Sequence, residues 1–129
     1  MRVSDYMSKS PVTVKSSADY NVAFDIMDSG SMHHLPVVDD NDEVVGILAR
    51  RDLQMAARYF REGPAEISDV MHTPVVSIAP DAPLSLAVKQ MMKDHIGCLP
   101  VMEDGKHVVG ILTETDLFRA LTDVLDEKD

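Results

Sequence analysis

The sequence has one cysteine, Cys98, no tryptophan, and no apolar run close to the ~20 residues needed to span a bilayer. A lone cysteine excludes an internal disulfide and fits a reducing compartment. The opening stretch, MRVSDYMSKSPV, lacks the apolar core and small-residue cleavage site of a secretory leader, so a soluble cytoplasmic protein is expected. Basic residues are also few: 12 Lys and Arg against 22 Asp and Glu give a net charge of −10. That balance opposes binding to a nucleic-acid backbone or to an anionic membrane surface, so any anionic partner should be small and met in a locally basic pocket. The histidines, at 33, 34, 72, 95 and 107, show no metal-ligand spacing, and there is no Gly-rich phosphate loop. Cys98 beside Leu99 and Pro100 reads as a small strand residue, and no nucleophile-and-base arrangement stands out. Neither a metal site nor an enzyme is expected.

What the chain does have is an internal repeat. Shifted by 64 positions it matches itself without a gap: Ser4, Asp5 and Met7 with Ser68, Asp69 and Met71, then LPV at 35–37 with 99–101, then VVGIL at 44–48 with 108–112. Each block closes on an aspartate, in GILARRD at 46–52 and GILTETD at 110–116. The repeats are read as 1–61 and 62–129, joined through REGPAE at 61–66, whose Gly63 and Pro64 break a helix.

Periodicity changes in the same order within each repeat. The β-branched runs VTV (12–14) and VVSI (75–78) suggest strands, followed by apolar residues at helical spacing: Val22, Ala23, Ile26 and Met27, or Leu86, Ala87, Val88, Met91 and Met92. LPVVD and LPVME read as strands with an early proline, Pro36 or Pro100. The turns DNDE and EDGK lead into the return strands VVGILA and VVGILT. A second amphipathic helix follows, through Leu53, Ala56, Ala57 and Phe60 or through Leu117, Leu121, Val124 and Leu125. Each repeat is therefore β-α-β-β-α, an α+β unit whose three-stranded sheet has helices on one face only. The uncovered face predicts that the two repeats pack sheet to sheet about a pseudo-twofold axis. Nine Met suggest an adaptable apolar interior, and the acidic end DVLDEKD is expected to be solvated and frayed.

The doubled series of D-x-M, LPV, VVGIL and terminal aspartate resembles a tandem pair of CBS domains, the adenosine-sensing unit also called a Bateman module, and covers almost the whole chain. The resemblance implies two clefts where the halves meet, able to hold AMP, ADP, ATP, S-adenosylmethionine or a related dinucleotide, with no catalytic cofactor. It implies a disc-shaped homodimer of pairs and, with no attached effector domain in the sequence, a stand-alone member that regulates an unknown effector protein.

A ribose presents two adjacent hydroxyls that a carboxylate can accept together, and such charge-assisted bonds are worth roughly 1.5–3 kcal/mol each. By resemblance Asp52 and Asp116 take that role. A competing reading is local: Thr113-Glu114-Thr115-Asp116 also fits a helix-capping box. Ala49, the counterpart of Thr113, has no side chain to cap with, and yet Asp52 is present. The roles are compatible, because a helix N-terminus favours a nearby phosphate. The resemblance groups Arg51, His33 and His34 with Asp52, as cations toward phosphate, and Arg50 adds charge beside them. It groups Thr113, Thr115, Gly97 and Cys98 with Asp116. The adenine would lie against Met7, Ser10, Val12 and Met32 in the Asp116 cleft, and against Met71, Pro74, Val76 and Ile96 in the Asp52 cleft. Pro74, replacing the serine found at position 10, removes a donor. The alternative function is a ligand-free scaffold for dimerisation or docking.

Overall fold

The computed structural model describes residues 1–30, 32–59 and 66–128; Phe60 and residues 61–65 of the joining segment lie outside the described residues. The fold is α+β, with two three-stranded sheets, and it divides into two compact units. One is residues 12–75, and the other combines residues 1–11 with 76–129. No helix is long and apolar enough to cross a membrane among the described residues.

The unit carrying Asp52 begins with α1 and β1 already passed, those two elements (Val3–Tyr6 and Ser8–Lys9) belonging to the other unit. It contains β2 (Val14–Lys15), α2 (Tyr20–Gly30), β3 (His34–Val38), β4 (Val44–Ala49), α3 (Arg50–Tyr59) and a 3-10 turn at Ile67–Asp69. β2 lies parallel to β3, and β3 antiparallel to β4. Ala23 and Met27, one helical turn apart on α2, are buried together with Val14, Leu35, Val37, Leu48, Leu53 and Ile67. Burying a side chain the size of Leu48 contributes about 1.5–3 kcal/mol before ordering costs.

In the unit carrying Asp116, α1 and β1 join α4 (Leu84–Asp94), β5 (Cys98–Met102), β6 (Val108–Thr113) and α5 (Glu114–Lys128). Both pairings in its sheet, β1 with β6 and β6 with β5, are antiparallel. Val3, Ile78, Leu84, Ala87, Met91, Leu99, Val101, Leu112 and Ala120 form its core. Pro100 lies within β5, yet its missing donor breaks no ladder bond. Its carbonyl accepts from Ile78, on the side away from β6, and a residue's N–H and C=O point to the same side of an antiparallel pair.

The two units share one unexpected device. Ser8 pairs with Ile111, and His72 pairs with Ile47, positions related by the same 64-residue shift. The D-x-M segment of each sequence repeat therefore lies on the VVGIL strand of the other repeat, so the repeats 1–61 and 62–129 and the compact units do not coincide. The close crossing explains the repeated glycine. A Cβ on Gly46 would lie 2.5 Å from the Met71 sulfur, and one on Gly110 would lie 2.6 Å from the Met7 sulfur and 3.0 Å from the Ser8 carbonyl oxygen.

Three local expectations change. VVSI supplies only a single bridge, Ile78 beside Val101, rather than a strand: Pro74 and Pro80 flank it and remove donors. The acidic end is not frayed but helical as far as Lys128. Tyr6 donates to Asp123 at 2.6 Å, and Arg119 donates to the Tyr6 carbonyl at 3.0 Å, so α5 is tied to α1. The apolar stripes are wider than the faces that are buried: Val22 and its counterpart Leu86 are both exposed, as is Met92.

Candidate functional site

Each VVGIL strand runs directly into a helix, and the junction places the two repeated aspartates. Asp52 stands in the first turn of α3, and its Oδ2 accepts the backbone N–H of Ala49 at 3.2 Å. Asp116 stands in the first turn of α5, and its Oδ2 accepts the Thr113 N–H at 2.9 Å and the Thr113 hydroxyl at 3.2 Å. Both are helix caps, which satisfy a donor that the helix itself leaves unpaired. The lack of a hydroxyl at Ala49 therefore does not separate ligand binding from capping, because Asp52 caps through the backbone alone. That separation, drawn from the sequence, fails.

The two carboxylates differ in what else holds them. Asp116 has a nearly buried side chain, 6% exposed, and its Oδ1 accepts from Arg119, one turn along α5. The Asp52 side chain is 20% exposed, and its Oδ2 lies 2.9 Å from the Nε2 of His72, whose side chain is 70% exposed. Neither partner emerged from the sequence reading. Arg119 follows Asp116 at the helical spacing i, i+3, a usable signal. His72 is 20 residues from Asp52 and reaches it only because its segment pairs with Ile47, which no local pattern announces.

Around Asp52 the fold gathers part of the expected set. His34 faces Ala49 across β3 and β4, and the His33 carbonyl accepts the Arg50 N–H at 2.8 Å, so both histidines adjoin the helix start. Arg51 is exposed there, whereas Arg50 is held by Asp28 at 2.6 Å. Met71 and Met32 pack at the margin of this unit's core. Pro74 and Val12 are exposed.

Around Asp116 the arrangement repeats with other chemistry. Cys98 faces Thr113 across β5 and β6, and the Gly97 carbonyl accepts the Glu114 N–H at 3.3 Å. Burial raises the Cys98 thiol to about 12, so this group is a packed, protonated side chain. The Thr113 hydroxyl proton is committed to Asp116, while Thr115 is exposed on the first turn of α5. Met7, Val76 and Ile96 pack at the margin of this core. Ser10 donates its N–H to the Val109 carbonyl at 3.3 Å, a backbone bond for which Pro74, at the equivalent position, has no donor. Val76 and Ile96, grouped by resemblance with Asp52, belong to the Asp116 unit, and Val12 and Met32 belong to the Asp52 unit. A hollow of about 480 Å³ between α4 and α5 is lined by Met91, Ile96, Gly97, Glu114 and Phe118 among others, without Asp116. No group of three or more His, Cys, Asp or Glu could hold a metal ion among the described residues.

Comparison with known proteins gives this arrangement a context. The sequence model of the CBS domain matches residues 3–59 and 67–123. A CBS domain-containing protein of Dictyostelium discoideum is 30% identical, with 96% of this chain and 93% of that protein covered. The L-aspartate semialdehyde sulfurtransferase of Methanocaldococcus jannaschii is 32% identical over 91% of this chain but only 22% of its own length; the chain spans about a quarter or less of the first curated enzymes it matches. Among solved structures, a Vibrio cholerae protein named for acetoin utilization, AcuB, superposes with a TM-score of 0.90 at 34% identity, covering 99% and 96% of the two chains. The CBS domain pair of protein MJ0100, in complex with 5′-methylthioadenosine and S-adenosyl-L-methionine, superposes at 0.87 with 30% identity, covering 95% and 97%. CBSX2 in complex with AMP superposes at 0.81 with 25% identity, covering 95% and 97%.

Proposed function

The chain belongs to the CBS domain family as a tandem pair, and on that premise we propose that it is a regulatory module that binds adenosine-containing compounds and passes their presence to an effector protein. The observation that carries this reading is the pair of aspartates at equivalent strand-to-helix junctions, each within reach of solvent or of an exposed partner, in a fold whose relatives hold methylthioadenosine, S-adenosylmethionine or AMP. A carboxylate has about four acceptor positions, so a capping aspartate keeps capacity for ribose hydroxyls. Asp52 accepts one hydrogen bond and Asp116 three.

The candidate ligands are AMP, ADP, ATP and S-adenosylmethionine. Arg51, His33 and His34 favour the longer phosphate chain at Asp52, whereas Thr113, Thr115, Gly97 and Cys98 suit a neutral tail at Asp116. Met7, Ser10, Val12, Met32, Met71, Val76 and Ile96 remain the proposed adenine contacts. The reading assigns no catalysis to this chain; the enzymes among its relatives extend well beyond the matched part. It places the protein in the cytoplasm, as a homodimer. Ligand binding signals only through unequal affinity for two arrangements.

The scaffold alternative draws on one observation, the exposed apolar residues Phe118, Leu121 and Leu125 along α5. Calorimetry with AMP, ADP, ATP, S-adenosylmethionine and NADH separates the readings. The regulatory module binds at least one, and Asp52→Asn or Asp116→Asn removes a share of the binding. A pure scaffold binds none.

A further inference from the structure

Arg119 touches both parts of the proposed Asp116 site at once. A single guanidinium nitrogen, Nη2, donates to Asp116 Oδ1 and, at 3.0 Å, to the Tyr6 carbonyl. A carboxylate oxygen offers two acceptor positions. Both positions of Asp116 Oδ2 are taken, by the Thr113 N–H and hydroxyl, so the open position lies on Oδ1, the oxygen that Arg119 holds. At its other end the contact falls just before residues 7–10, which include the proposed adenine contacts Met7 and Ser10. Regular structure holds that stretch weakly: β1 pairs with β6 through Ser8 and Lys9, and Ser10 then turns into the left-handed region at a φ of 49°. The first repeat has no such tie, because the counterparts of Arg119 and Tyr6 are Met55 and Val70, and Met55 has no donor.

We propose that Arg119 is the positioning residue of the Asp116 site, holding the ribose acceptor and the adenine-contacting residues 7–10 in one frame so that a nucleoside meets both together. The inference rests on the adenosine reading above and adds what sets that site's geometry. A ligand that must order the chain it binds loses affinity by the ordering cost, and a frame fixed beforehand avoids that loss. Tyr6 also donates to Asp123, but that bond ties α1 to α5 without touching Asp116. Arg119 alone of the two reaches the carboxylate. Its side chain is 59% exposed, against 6% for Asp116, so the tie lies outside the packed core and can be removed without emptying it.

The test uses the full chain and adenosine, which has no phosphate for a guanidinium to bind directly. Arg119→Met keeps an unbranched stem and removes the donors; Met55, 50% exposed at the equivalent position, shows that the fold takes that side chain there. In ligand-free protein, hydrogen exchange of the amides of residues 7–10 should quicken by about threefold to tenfold, the scale of one lost hydrogen bond, while residues 71–73 stay unchanged. By calorimetry, adenosine should bind more weakly, by about the same factor, at the site that Asp116→Asn removes. Unchanged exchange overturns the frame and leaves the adenosine reading standing. Faster exchange with undiminished adenosine affinity overturns the positioning role, since Arg119 is then a structural tie alone. Weaker AMP binding with adenosine unaffected overturns it too, as the mark of a direct phosphate contact. Absence of binding by any adenosine compound to the wild type overturns the adenosine reading and, with it, the role of Arg119.

Discussion

The sulfur of Met71 lies against Gly46 so closely that a Cβ there would approach it to 2.5 Å, and Met7 holds the same place at Gly110. Each alanine substitution overpacks a crossing and should cost about 1–3 kcal/mol, measured by urea unfolding. At both sites a backbone carbonyl also stands close, His72 at 3.1 Å from a Cβ on Gly46 and Ser8 at 3.0 Å from one on Gly110, so Met71→Ala and Met7→Ala should each recover only part of the loss. Full recovery at either site contradicts this account.

Asp116 and Asp52 should differ in what they contribute to stability without ligand. Removing the Asp116 carboxylate leaves the Thr113 N–H and hydroxyl without their acceptor and takes from Arg119 one acceptor, the Tyr6 carbonyl remaining. Asp116→Ala should therefore cost about 1–3 kcal/mol. Asp52→Ala loses a more exposed cap and should cost about 1 kcal/mol or less. The order, read from urea midpoints, is the prediction. It also means that ligand effects of these variants must be measured against each variant's own baseline.

Much of this architecture is written in local spacing. Ala23 with Met27 and Ala87 with Met91 mark helices one turn at a time, LPV and VVGIL mark paired strands, and Thr113-x-x-Asp116 marks a cap. The exchange of D-x-M segments is not local. Nothing in residues 5–9 announces that Ser8 will pair with Ile111, about a hundred positions away. His72 escaped notice for the same reason, since its register on β4 alone brings it to Asp52. The acidic end misled because charge suggested fraying, whereas Tyr6 gives Asp123 a partner from the far end of the chain.

Cys98 should be unreactive in the folded state. Burial holds its thiol at about 12, so the thiolate that attacks disulfide reagents is scarce at pH 8. A disulfide dye should label it only as fast as the protein unfolds. The linkage has a definite sign. The raised folded value gives stability that is intact below about pH 9, the ordinary thiol range, and declines as pH rises toward about 12. Cys98→Ala should lose less melting temperature between pH 8 and 10 than the wild type.

The β5–β6 hairpin should be sensitive to acid. Asp104 accepts the backbone N–H groups of Lys106 and His107 at 2.9 and 2.8 Å and contacts the His107 ring at 2.6 Å, which holds its carboxyl well below the usual carboxylate range. A depressed folded value gives stability that is present above about pH 4 and lost as pH falls through the lower folded value. Asp104→Asn should therefore lower the melting temperature at pH 6 and make progressively less difference below pH 4. A difference that stays constant with pH contradicts the contact.

The most direct test of the central claim is thermal unfolding of the wild-type chain with AMP, ADP, ATP and S-adenosylmethionine, each titrated to saturation. A ligand at a hundred times its dissociation constant stabilises the folded state by about 2.7 kcal/mol. The account predicts such a rise with at least one of these compounds, diminished in Asp52→Asn or Asp116→Asn relative to each variant's own ligand-free value. An unchanged melting temperature with all four contradicts it.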